Sequence, residues 1–139
     1  KEALRQNIKW GTVVKIASLV QREAAGKGDM PIIAGVIWNR LNKGMKLDID
    51  ATIQYARGKT KMGWWAPSTS EDKKIDSPFN TYRYKGLPPH AISNPGEEAL
   101  KSVLFPAKTD CFYYLHAKKE IYCAKTFEEH KLNIEKYLR

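Results

Sequence analysis

Residues 12–25, TVVKIASLVQREAA, repeat their apolar side chains at the spacing of one helix face, and Gly26 stops the run. Advancing 100° per residue from Ile16, Val20 falls about 40° away, Leu19 about −60° and Val13 about +60°. An apolar stripe of this kind is stable only when covered, so the chain needs further elements to pack on it. Lys15, Ser18 and Arg22 take the opposite side. Glu23 breaks the pattern, because it falls about −20° from Ile16, in the middle of the stripe. A carboxyl against apolar walls has its charged form disfavoured and its pKa raised. That is the state a general acid needs if it is to hold a proton near neutral pH. On pattern alone the plainer alternative stays open: a glutamate near a helix end, paired with a neighbouring Lys or Arg.

The covering elements are legible from their punctuation. In PIIAGVIWNRLNKG, residues 31–44, Asp29 precedes as a cap, Pro31 opens a second helix and Gly44 closes it. DIDATIQYARG, residues 48–58, reads as a shorter third helix with Asp50 at the N-cap and Gly58 past its end. SNPGEEALKSVLFP, residues 93–106, places Asn94 at an N-cap, Pro95 at the first helical position and Glu97 in a capping box. A second box, Thr126 with Glu129, opens the last helix. Before it, CFYYLHAKKEIYCAKT reads as a hairpin turning at Lys118 and Lys119, with Tyr114 opposite Cys123. That register turns Cys111 to the other face, so both cysteines are expected as free thiols. Five helices and one hairpin near the C-terminus predict a mostly helical α+β single domain over residues 1–139.

Composition narrows the function. Hydrophobic residues make up 42% and aromatics 11% of the 139 residues, a foldable balance. No apolar run approaches the length of a membrane span, and the chain opens on Lys1, so a fragment of a longer protein is expected. The net charge of +9 favours polyanions, yet no basic run exceeds two residues, which speaks against a nucleic-acid binder. His90, His116 and His130 lack paired-ligand spacing, so neither a metal nor any other cofactor is expected. Residues 58–93 hold four prolines, the adjacent Trp64 and Trp65, and no sustained period; a stretch so long in a compact domain is commonly functional. Within residues 76–96, Asn80, Tyr82 and Asn94 combine neutral hydrogen-bonding groups with flat apolar faces, a mixture suited to sugar rings. A packed loop with self-satisfying Asx turns is the alternative there. Asp48 and Asp50 are candidates for a second carboxylate.

Taken in order, ASLVQREA, IAGVIWNRLNKGMKLDIDATIQYA, IDSPFNTYRYKGLPPHAISNPGEEALKSVLFPAKTDCFYYL and CAKTFEEH resemble the YceG-like (MltG) family of endolytic murein transglycosylases. The resemblance implies cleavage between N-acetylmuramic acid and N-acetylglucosamine inside peptidoglycan strands, leaving 1,6-anhydro-muramyl ends. It implies that Glu23, matching the glutamate that ends the family's ASIVEKE-type helix, is acid and then base. Asp50, Thr52, Asn80, Tyr82 and Asn94 match motif positions expected to line or shape the groove. It also implies an N-terminal membrane anchor and a LysM-like region outside this chain, an extracytoplasmic location on the bacterial inner membrane, and cell-wall synthases as partners. One departure is clear: family members carry Pro-Gly-Pro-Ile at or near the GLPP start, whereas His90-Ala91-Ile92 stand here. A non-catalytic peptidoglycan-binding module, and a lysozyme-like hydrolase using Asp48 or Asp50, are the alternative readings.

Overall fold

A computed structural model describes residues 6–138. It contains five α-helices and a two-stranded hairpin: α1 Trp10–Glu23, α2 Met30–Lys43, α3 Asp50–Arg57, α4 Glu97–Leu104, β1 Tyr113–Ala117, β2 Glu120–Ala124 and α5 Phe127–Tyr137. The result is a small α+β domain. None of the described helices is long and apolar enough to cross a membrane.

α1 runs through the centre. Val13, Ile16, Ala17, Leu19 and Val20 are fully buried, and Ile33, Ala34 and Ile37 of α2, with Ala99 and Val103 of α4, join them in one core. The narrow stripe is therefore covered from several sides. Ser18 departs from its expected outward position. It is fully buried because the 92–93 segment lies over it: Ile92 N–H donates to Ser18 Oγ at 3.1 Å and Ser93 Oγ donates to Ser18 O at 3.0 Å. A small hydroxyl that satisfies a passing backbone is cheap to bury. α1 also sits two residues earlier than the periodicity implied, ending at Glu23 with Ala24 as its cap.

Gly44 closes α2 in the left-handed region (φ 77°), its N–H returning to Arg40 O and Leu41 O. Three expected caps are not made. Asp29 precedes α2, but its carboxylate accepts from Ala25 N–H and Gly26 N–H, not from the helix. Asp50 is the first residue of α3, with Ile49 at the cap position, because its side chain bonds Tyr82. α4 starts at Glu97 with Gly96 as cap, leaving Asn94 exposed outside the helix. At α5 the expected cap forms: Glu129 N–H donates to Thr126 Oγ1 at 3.1 Å.

The hairpin pairs Tyr114 with Cys123 as expected and turns on Lys118 and Lys119, both at positive φ (51° and 68°). The expectation of free thiols fails. Cys111 and Cys123 form a disulfide with Cα atoms 5.8 Å apart. Strict alternation does not extend to Cys111, because β1 begins only at Tyr113 and the chain bends before it. Asn39 Nδ2 of α2 donates to Thr109 O (2.8 Å) and Cys111 O (2.9 Å), holding that bend under β2.

Candidate active site

Glu23 is the last helical residue of α1 and the neighbour of an exposed Arg22, whose guanidinium lies 3.7 Å from the centre of the Trp65 ring. The two side chains diverge as the helical wheel requires. Glu23 Oε1 accepts a hydrogen bond from Tyr114 Oη of β1 at 2.6 Å, a contact spanning 91 residues of sequence. The carboxyl opens into a cleft of about 500 Å³. One wall is α2 (Val36, Ile37, Arg40), another is the 47–50 segment with Tyr82, and the far end is Tyr113, Phe127 and His130.

Electrostatics follow from this placement. Burial pushes the Glu23 carboxyl above its ordinary value and Asp50 across the cleft adds to the rise, while the Tyr114 hydroxyl, His116 and Arg22 oppose it. Tyr114 is held well above the ordinary phenol range by burial and by Glu23, so it stays a donor. Tyr82 is likewise raised, first by burial and then by the hydrogen bond its hydroxyl gives Asp50 Oδ1 at 2.5 Å. Asp48 is raised by burial against the pull of Arg40, whose Nη1 stands 3.7 Å away. His130 is lowered, chiefly by burial. The cleft thus holds one carboxyl biased toward its protonated form and facing a second carboxylate bonded to a phenol.

Of the other residues singled out from sequence, Asp48, Asp50 and Tyr82 line this cleft with Glu23. Thr52 and Asn80 are fully buried beneath it. Thr52 Oγ1 donates to Ile49 O at 2.7 Å and shares a 2.8 Å hydrogen bond with Thr81 Oγ1. Asn80 Nδ2 donates to Lys73 O and Ile75 O, and its Oδ1 accepts from Tyr82 N–H at 2.9 Å, aiming Tyr82 into the cleft. These two shape the wall from behind. Asn94 is not among the cleft residues. In the long segment, Gln54 Nε2 donates to Trp65 O and Ala66 O, and Arg57 donates to Trp64 O, Ala66 O and Pro67 O, so the tip hangs from α3. Trp65 packs on the core and Trp64 stays 44% exposed beside Tyr55. His90, at the site of the family departure, sets its ring edge-on to Phe79 (centroids 4.7 Å apart).

Residues that sequence reasoning did not place in the site complete it. Tyr114, Arg40 and His130 stand within it. Alternation in the hairpin places Tyr114 and His116 on one face, but no local signal says which helix that face meets.

Comparison with known proteins identifies the family. The family model described as YceG-like family matches residues 1–136. An endolytic murein transglycosylase of Bacillus subtilis (strain 168) is 41% identical over 127 residues, covering 91% of this chain and 34% of that protein. Another of that name, from Streptococcus pneumoniae serotype 2, is 35% identical over 136 residues, covering 96% of this chain and 25% of that protein. The crystal structure of the yceG-like protein lmo1499 from Listeria monocytogenes superposes with a TM-score of 0.85 at 38% identity, over 94% of this chain and 41% of that one. The chain therefore spans a quarter to a third of the length of these curated relatives. At this coverage and identity, the chain belongs to the YceG-like family.

Proposed function

We propose that this domain is a lytic transglycosylase that cuts inside peptidoglycan strands, with Glu23 as its single acid and base. The observation that carries the reading is the Glu23 carboxyl itself: raised by burial, held by Tyr114 and open to a cleft large enough for sugar rings. The names of the relatives, endolytic murein transglycosylase, point the same way.

Glu23 first gives its proton to the glycosidic oxygen leaving as the N-acetylglucosamine 4-hydroxyl, and the bond from that oxygen to C1 of the muramyl residue breaks. Positive charge gathers at C1. The muramyl C6 hydroxyl then attacks C1, closing the 1,6-anhydro ring, and its proton returns to the Glu23 carboxylate. One C–O bond breaks and one forms, no water is consumed, and the acid is restored. The attacker belongs to the substrate, so its high effective concentration disfavours competing water. A hydrolase needs a second carboxylate to supply a nucleophile or activate water, whereas here Asp50 accepts the Tyr82 phenol and Asp48 sits beside Arg40.

On this reading the protein acts on the extracytoplasmic face of the cytoplasmic membrane, anchored through a region outside this chain and working beside cell-wall synthases. The Cys111–Cys123 disulfide suits an oxidising compartment. Mass spectrometry of purified glycan strands tests the chemistry, with the protein and its Glu23→Gln variant compared after circular dichroism shows both folded. Anhydro-muramyl ends from the unaltered protein alone are expected. Reducing ends would overturn the lytic mechanism in favour of hydrolysis. Retention of strands without cleavage would overturn enzymatic action in favour of a binding module.

A further inference from the structure

Just behind the proposed acid lies a pair of ionisable side chains that the mechanism leaves unused. Asp29 and His116 have side chains only 11% and 27% exposed, and His116 Nε2 stands 2.7 Å from Asp29 Oδ2. The same carboxylate accepts Ala25 N–H at 3.0 Å and Gly26 N–H at 3.2 Å, the two amides that lead the chain away from the end of α1. His116 stands two residues beyond Tyr114 on the same strand face, their rings 5.8 Å apart and edge-on. Glu23 is thus held from two directions that meet at one carboxylate: its backbone exit through Ala25 and Gly26, and its hydroxyl donor through β1.

We infer that Asp29 and His116 are positioning residues for the proposed lytic reaction, clasping the end of α1 to β1 so that the Glu23 carboxyl and the Tyr114 hydroxyl keep their register over the cleft. The inference rests on the reading of Glu23 as acid and base. Helix ends fray, and the Ala25 and Gly26 N–H groups just past this one are held by the Asp29 carboxylate. β1 is one strand of a two-stranded pair, whose stability rests on what packs against it. Opening the clasp releases both partners of a 2.6 Å contact at once, and displacements on the scale of 1 Å in a catalytic group cost up to about a hundredfold in rate.

The experiment compares the protein with His116→Leu, His116→Gln and Asp29→Asn, and with Glu23→Gln as the reference for lost chemistry. Each is checked for folding by its melting curve and assayed on soluble glycan strands for kcat and KM. His116→Leu is expected to lower kcat about ten- to a hundredfold with KM nearly unchanged, and His116→Gln, which keeps an N–H donor, to recover most of it. Asp29→Asn replaces an accepting oxygen by an N–H₂ and is expected to lower kcat as well. It decides the matter should His116→Leu fail to fold. Wild-type kcat in a folded His116→Leu or Asp29→Asn protein would overturn the inference, and so would a loss confined to KM.

A second readout needs no turnover. The Glu23 carboxyl is titrated by carbon-detected NMR in the protein and in each folded variant. The charged and titratable groups that act on it most are Arg22 of its own helix, Asp50 of α3, and Tyr114 and His116 of β1, and Arg40 of α2, Asp48, Lys73, Tyr82 and His130 line the same cleft. In His116→Leu the titration is expected to move to higher pH, because the histidine charge is gone and the Tyr114 hydrogen bond loosened, both of which hold it down. An unchanged titration would overturn the clasp even if no strand is ever cut. Cleavage by Glu23→Gln would instead overturn the reading of the acid.

Discussion

Tyr114→Phe removes one oxygen and tests how the proposed acid is made to work. When Glu23 is protonated, the Tyr114 hydroxyl donates to a neutral carboxyl; once the proton is delivered, it donates to a carboxylate at 2.6 Å. A hydrogen bond between neutral groups contributes about 0.5–1.5 kcal/mol and one to a charged group about 1.5–3 kcal/mol. The difference, about 1–1.5 kcal/mol, favours the transition state in which the carboxylate is forming. At 1.36 kcal/mol per decade this predicts a loss of about five- to thirteenfold in kcat. KM should hold, since the hydroxyl faces Glu23. The sign of the pH effect follows as well. Without its donor the charged form of Glu23 is less favoured, so the carboxyl moves further up and the alkaline limb of kcat shifts to higher pH. The assay is the initial rate of anhydro-end formation on soluble strands across pH, with the variant's fold checked by its melting curve. A kcat within twofold of the unaltered protein, or a limb that stays in place or moves down, would refute the reasoning.

Three further outcomes are expected. The raised Glu23 carboxyl binds its proton more tightly folded than unfolded; its stability contribution is therefore full below 4.5, its ordinary value, and lost as pH rises through the folded value. The melting temperature of the protein relative to Glu23→Gln should thus fall from pH 4.5 upward, and a flat or rising difference would contradict this. Reducing the Cys111–Cys123 bridge, which closes a loop of sequence separation 12, should cost about 3 kcal/mol by loop entropy, or about 6–12 °C in melting temperature. Gly35→Ala would set a Cβ 2.7 Å from Ala107 O, where the backbone strap leading to β1 crosses α2, and should cost about 1–3 kcal/mol in urea unfolding.

How far the sequence foretold this molecule depended on the range of the interaction. The α1 stripe, the glycine stop of α2 and the two-lysine turn are local, set by helical period and left-handed backbone, and they stand where the pattern put them. Glu23 was conspicuous for the same reason, as a charge where the period allowed none. The caps misled where tertiary partners outbid the helix: Asp50 is taken by Tyr82 and Asp29 by His116. The cysteines misled because alternation was carried two residues past the strand's true start at Tyr113. Tyr114 and His116 were beyond reach altogether, since their partners Glu23 and Asp29 lie 91 and 87 residues away.

The buried hydroxyl pair of Thr52 and Thr81, with Asn80 beside it, divides the long 58–93 segment into parts with different freedoms. The footing, locked to α3 from inside, fixes where Asp50 and Tyr82 meet. Apart from Trp65, which packs on the core, the tip is attached through backbone carbonyls to Gln54 and Arg57, contacts indifferent to which side chains it displays. The domain is thereby evolvable in one place: the tip can be rewritten or lengthened while Glu23 and its facing carboxylate stay in register.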